Sequence, residues 1–196
     1  MKFVAMLALA AGMSVSTLPA YSAPKTSPDN TLVIMTKDGE IDIQLRPDLA
    51  PNHVARIKEL AREHAYDNVV FHRVIDGFMA QTGDVEFGKE GGKAFDPSRA
   101  GMGGSSKPDL KAEFSQETFD RGTVGMARAQ DPNSANSQFF IMLADGDFLD
   151  GQYTIVGDVV GGMDVVDKIK KGDAQQNGAV TNPDKMLKVR VAADGK

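Results

Sequence analysis

The sequence contains no cysteine. That excludes a disulfide framework, a thiolate nucleophile, a zinc–thiolate site and an anchor on a lipidated cysteine. Histidine is scarce: His53, His64 and His72 stand 11 and 8 residues apart. This spacing matches no familiar zinc pattern, so no metal is expected. Basic runs are absent and the formal net charge is −5, so the positive footprint of a nucleic-acid binder is missing. Past the N-terminus no apolar run is long enough to cross a bilayer. The mature chain is therefore expected to work without metal, cofactor, nucleic acid or membrane, and is read as a monomer.

What is present is ordinary for a globular protein. With 196 residues, 41% of them hydrophobic, the chain can bury one substantial core but leaves little for a second domain. Its 20 glycines imply many turns and lean toward a β-rich fold. The first residues form a distinct segment. Lys2 is the only charge before Lys25, residues 3–12 are an apolar run, and small residues follow at Ala20, Ser22 and Ala23. This reads as a secretory signal peptide over residues 1–23, cleaved after Ser22 or Ala23, and implies a periplasmic or secreted protein. Residues 24–30 then read as a polar, flexible lead-in to one domain over 31–196.

Within that domain, residues 32–35 and 41–45 read as a hairpin around an Asp38-Gly39 turn. Residues 48–65 carry Val54, Ile57, Leu60 and Ala61 at helical spacing, with Pro51 in the first turn. Short strands are expected over 69–74, 78–81, 123–128, 137–143, 154–160 and 185–191, and a short helix over 163–171. Residues 86–106 are Gly-rich and charged, as in a long surface excursion. Many short strands, two helices and no βαβ alternation favour an antiparallel barrel.

Three stretches concentrate unusual residue types. Residues 71–84 (FHRVIDGFMAQTGD) place a lone Arg73 beside Phe78, Met79 and Gln81. Ala127-Arg128 precede Asn136-Ser137-Gln138-Phe139-Phe140-Ile141, in which Gln138 and Phe140 share one face of a strand. The third is Phe148-Leu149-Asp150-Gly151-Gln152-Tyr153. Taken singly, each aromatic is readable as core, Arg73 as a solvated surface residue and His72 as a satisfied core histidine.

Taken together, the stretches resemble the signatures of the cyclophilin family of peptidyl-prolyl isomerases, in the family's order and over about residues 31–191. The turn Gly101-Met102-Gly103-Gly104 also matches a family glycine turn. The resemblance implies a closed eight-stranded antiparallel barrel capped by two α-helices, with a proline pocket on the outside of its wall. It implies Arg73 as the catalytic group and Phe78, Met79, Phe140 and Leu149 as the cup for the proline ring. Gln81 and the backbone around Ala127 would hold the peptide, with Gln138 beside them and Gly101 in the neighbouring loop. Phe148 stands where many eukaryotic members have tryptophan, Tyr153 where they have histidine, and Arg128 where asparagine is common. Residues 86–100 lengthen the segment before the glycine turn and are expected to form a surface insertion near the groove.

The residue types suit the chemistry that the resemblance implies. Rotation about a peptide bond faces a barrier of ~18–20 kcal/mol from amide resonance, and no bond has to break. A fixed cation that hydrogen-bonds the prolyl nitrogen better in the twisted state than in the planar one lowers that barrier. The substrates would be proline-containing segments of unfolded or partly folded chains. The rival class is a binding module that captures such segments without turnover. Such a module could dispense with Arg73, and an isomerisation assay separates the two.

Overall fold

The computed structural model describes residues 27–195. The expected signal segment and its cleavage site lie outside the described residues. So do residues 24–26 of the lead-in, whereas Pro28–Asn30 form a 3-10 turn and Ser27 N–H donates to Gln44 Oε1 at 3.0 Å.

The chain opens with a hairpin. β1 (Thr31–Thr36) and β2 (Gly39–Leu45) pair antiparallel across Lys37-Asp38. Leu32, Ile34, Ile41, Ile43 and Leu45 are buried in the main core. Helix α1 (Pro51–Arg62) follows, with Pro51 at its first position, where a missing N–H costs nothing. Its stripe of Val54, Ile57, Leu60 and Ala61 is buried in the same core. Full burial of each of the three larger side chains contributes roughly 1.5–3 kcal/mol. The residue before the helix, Ala50, offers no capping oxygen. Glu113, 60 residues beyond His53, takes that role. Its carboxylate accepts the backbone N–H of Asn52 and of His53, the Asn52 side-chain amide, and a 2.6 Å contact from His53 Nδ1. A carboxylate on free N–H groups at a helix N-terminus is favourable for both hydrogen bonding and the helix dipole.

The remaining elements are β3 (Val69–Val70), β4 (Arg73–Ile75), β5 (Met79–Thr82), β6 (Thr123–Met126), β7 (Phe139–Met142), β8 (Ile155–Gly161), α2 (Met163–Lys168), β9 (Lys185–Met186) and β10 (Lys188–Val191). Eight strands form one antiparallel sheet in the order β10-β1-β2-β8-β6-β7-β5-β4, while β3 and β9 form a separate pair. The sheet curls but stays open, which corrects the expected closed barrel. Its edge strands β10 and β4 are not paired with each other. The reason lies in two interruptions. The expected strand over 69–74 breaks at Phe71-His72, and that over 185–191 breaks at Leu187, so the first part of each joins the small pair instead. The free edge of β4 is met by irregular backbone: Val74 N–H donates to Gly178 O at 2.8 Å and Gly172 N–H to Val74 O at 2.9 Å. Among the described residues no helix is long and apolar enough to cross a membrane.

The strands around β7 are apolar on both faces. Ala80, Val124, Phe139 and Ile141 enter the main core. Their alternates Met79, Phe140 and Met142 turn outward into a second cluster with Phe119, Leu149 and Ile155. A sheet face that should be polar thus carries an apolar floor.

Candidate active site

Strand register sets the site. Arg73 lies opposite Gln81, Gln81 opposite Phe140, and Phe140 opposite Gly125, so one residue from each of β4, β5, β7 and β6 stands abreast on the outer face. Gly125 is required for space. A Cβ there would fall 2.5 Å from Phe140 Cζ and 2.7 Å from Phe119 Cε1. The Phe140 ring therefore lies down on the strand, stacked on Phe119 at 5.8 Å and met edge-on by Tyr153 at 5.9 Å. Met79 and Leu149 fill the floor beside it and are buried. Phe78 and the exposed Phe148 face each other 5.5 Å apart at the rim.

These side chains enclose a groove of about 420 Å³ lined by Arg73, Phe78, Met79, Gln81, Ala127, Arg128, Phe140, Phe148, Leu149, Gln152 and Tyr153. All but Gln152 were expected from the sequence. The other two expected residues, Gly101 and Gln138, line a neighbouring groove of about 540 Å³ that shares Gln81, Ala127 and Arg128 with the first. Residues 86–100 line neither groove. Nor are they wholly a surface excursion. Phe87 is buried beneath the Arg99 guanidinium, and Gly88 O accepts from Val70 N–H.

The Arg73 guanidinium is half-buried at the wall of the cup. Nε donates to Asn177 O at 3.0 Å, Nη2 to Asn177 Oδ1 at 2.9 Å, and Nη1 to Gln81 Oε1 at 3.3 Å. All these acceptors are neutral, and no ion pair among the described residues includes Arg73. Burial draws its pKa down from the ordinary value, against a smaller opposing effect of Tyr153. Arginine nevertheless remains charged. Its positive charge is thus placed, but not neutralised. Asn177 escaped sequence reasoning. Its only signal is the Asn177-Gly178 turn, in which both residues take left-handed φ, +54° and +78°.

Arg128 lines both grooves. Its guanidinium donates to the carbonyls of Ala129 and Gln152 and lies 4.4 Å over the Tyr153 ring, so it ties the walls of the two grooves together. At Ala127 the N–H is taken by Gln138 O at 2.9 Å, which leaves its carbonyl for a peptide. His72 is buried as expected of a core histidine, but it is not satisfied: neither ring nitrogen has a hydrogen-bond partner. Burial pushes its pKa down to about 4. Among the described residues no group of three or more potential ligands is gathered for a metal.

The arrangement is an apolar cup with the Arg73 guanidinium, free of any carboxylate partner, at its edge and amide groups alongside. It lacks a nucleophile–base pair, and a reaction that breaks no covalent bond needs none.

Residues 31–191 match the cyclophilin type peptidyl-prolyl cis-trans isomerase/CLD family. The chain is 62% identical over 190 residues to a probable peptidyl-prolyl cis-trans isomerase of Brucella suis biovar 1 (strain 1330), covering 97% of this chain and 96% of the relative. It is 41% identical over 144 residues to peptidyl-prolyl cis-trans isomerase B of Escherichia coli (strain K12), covering 69% of this chain and 80% of that protein. Among solved structures, cyclophilin AquaCyp293 from Hirschia baltica superposes with a TM-score of 0.72 at 26% identity, covering 87% of this chain and 77% of that one.

Proposed function

The chain belongs to the cyclophilin family of peptidyl-prolyl cis-trans isomerases, and we propose that it performs this isomerisation through Arg73, on proline-containing segments of exported proteins. The observation that carries the reading is the Arg73 guanidinium, fixed by neutral acceptors beside an apolar cup.

The proline ring sits in the cup of Phe78, Met79, Phe140 and Leu149, and the flanking peptide runs past Gln81 and the Ala127 carbonyl. As the X–Pro bond twists, resonance is lost and the prolyl nitrogen regains a lone pair. A guanidinium N–H of Arg73 donates to that lone pair in the twisted state. In the planar ground state the nitrogen has no such acceptor. The interaction therefore strengthens only as the barrier is climbed, which is the condition for catalysis rather than tighter binding. A carboxylate partner on Arg73 would have consumed the charge. The neutral partners Asn177 and Gln81 hold its direction and leave the charge available.

Arg73→Ala is expected to lower kcat/KM by at least ~100-fold, equivalent to about 2.7 kcal/mol of transition-state stabilisation. Peptide binding and melting temperature should change far less. Exchange NMR on a proline-containing peptide, with thermal melts alongside, measures all three. Near-full activity in Arg73→Ala would overturn the mechanism, and joint collapse of activity and melting would make Arg73 a structural residue.

Export rests on the N-terminal pattern of Lys2, the apolar run and the small residues before Pro24. Intact mass of the protein from the periplasm or medium should place the mature N-terminus at Ala23 or Pro24. Full-length protein confined to the cytosol would remove this part of the reading.

A further inference from the structure

Beyond the groove, a directed chain of hydrogen bonds runs from Arg73 to a buried carboxylate. Arg73 Nη1 donates to Gln81 Oε1 (3.3 Å), and Gln81 Nε2 donates to Gln138 Oε1 (3.0 Å). Gln138 Nε2 donates in turn to the carbonyls of Gly101 (3.0 Å) and Gly103 (2.7 Å). The same two glycines turn their N–H groups onto Asp84 Oδ2, at 2.7 and 2.9 Å. Asp84 Oδ1 accepts from Glu86 N–H and Phe87 N–H at 3.0 and 2.9 Å. The Asp84 side chain belongs to a fully buried residue, and its four backbone donors fold the ends of the 84–103 segment together.

The polarity of this chain is forced. Guanidinium groups only donate and carbonyl oxygens only accept. With carbonyls at one end, Gln138 must present its NH2 to the loop and its oxygen to Gln81. Gln81 must then present its NH2 to Gln138 and its oxygen to Arg73. Each amide has one orientation that satisfies both neighbours. The other orientation would set oxygen against oxygen at the loop or NH2 against the guanidinium.

We propose that Gln138 is a positioning residue for Arg73 rather than a peptide contact, and that Asp84 holds the glycine loop whose carbonyls orient it. The proposal rests on Arg73 as the catalytic donor. Without Gln138 the Gln81 amide is free to rotate, and Arg73 loses a fixed acceptor on the side that faces the cup. Chains of aligned hydrogen bonds in a partly buried setting also reinforce one another.

Gln138→Met keeps the length of the side chain and removes both its donor and its acceptor. In the unliganded protein it should shift or broaden the Arg73 Nε–H and Gln81 side-chain amide resonances in 15N NMR. Its kcat should fall by about 3- to 10-fold, the worth of one net hydrogen bond, with KM within about twofold. Unchanged Arg73 and Gln81 resonances would overturn the proposal. A raised KM at constant kcat would overturn it too, by assigning Gln138 to the peptide. Asp84→Asn should give the same resonance signature, and the double variant should lose little more than the worse single one. Losses that multiply would refute the role of Asp84. If Asp84→Asn does not fold, Gln138→Met still decides for the chain of amides. An inactive Arg73→Ala beside an unaffected Gln138→Met sinks this inference alone. An active Arg73→Ala sinks the catalytic reading, while the resonances still report on the chain.

Discussion

Acidification from about pH 7.5 to about pH 4.5 should destabilise the protein through His72. His72 is 9% exposed, neither ring nitrogen makes a well-formed hydrogen bond, and a Cβ on Gly101 would touch the ring at 2.8 Å, so the site has no room to hydrate a charge. Burial dominates its pKa, and Arg73 next in the chain acts in the same sense. Asp84 and the Val70 carbonyl pull the other way without prevailing. In the folded state the imidazole stays neutral down to about 4, against 6.5 for a free one. Between those values the unfolded chain binds a proton that the native chain refuses, so stability rises with pH. His72 thus contributes fully above about pH 6.5, and its contribution is lost as pH falls toward 4. The fall from 6.5 to about 4, at about 1.36 kcal/mol per pH unit, amounts to on the order of 3 kcal/mol. For a domain of this size that lowers the melting temperature by roughly 6–12 °C. Urea titrations at steps through the window, run on the native protein and on His72→Gln, measure it. The comparison matters because Asp158 is raised by burial, against the opposing pull of Arg46, and works in the opposite sense. A His72→Gln variant with the same slope as the native protein would refute the assignment.

Two other substitutions test how the scaffold supports the groove. Glu113→Gln should cost about 0.5–2 kcal/mol of stability by weakening the remote cap on α1, measured by thermal melts. Burial raises the Glu113 pKa, but hydrogen bonds from His53 and Asn52 outweigh it and hold the carboxylate below its usual range. Its stabilisation is therefore present above the ordinary carboxylate value and lost as pH falls through the lowered one, a loss that Glu113→Gln should abolish. Gly125→Ala should push the Phe140 ring off the strand. Overpacking of this kind costs about 1–3 kcal/mol, and peptide binding followed by NMR titration should weaken while Arg73 stays in place. Unchanged peptide affinity would show that the ring need not lie flat.

Much of this was legible in the sequence because local chemistry decided it. The Asp38-Gly39 turn and the apolar stripe of α1 each depend on a few adjacent residues. The groove residues were legible for a different reason: motifs from three stretches resemble one family. What stayed hidden depends on partners far along the chain. Closure of the barrel could not be read from strand patterns, because the breaks at His72 and Leu187 are set by which neighbour each half pairs with. The cap on α1 comes from Glu113, and the anchor of Arg73 comes from Asn177, 104 residues away. Asp84 read as the last letter of a motif, yet it gathers N–H groups from both ends of the loop.

The run Phe139-Phe140-Ile141-Met142 explains why the site sits where it does. A strand with one wet face alternates apolar and polar residues, and this one does not. Its uniform run is usual for a strand covered on both sides. Phe139 and Ile141 meet the main core, while Phe140 and Met142 lie under Phe119 and Leu149. The outer cover is incomplete: Phe140 is buried, but the Phe148 that should close the rim is 64% exposed. An apolar floor with a partial lid leaves an open apolar groove in which a proline ring is more favourably placed than water. The edge strand β4 ends beside that groove. An arginine on β4 reaches the cup from the side, where its guanidinium meets only neutral acceptors on Asn177, Gln81 and Met79. The same strand placed centrally in the sheet would have its flanks occupied by neighbours, and Asn177 could not approach. The open edge of the sheet therefore shapes the candidate site: it is the gap through which the loop at Asn177 comes in to hold Arg73 in place.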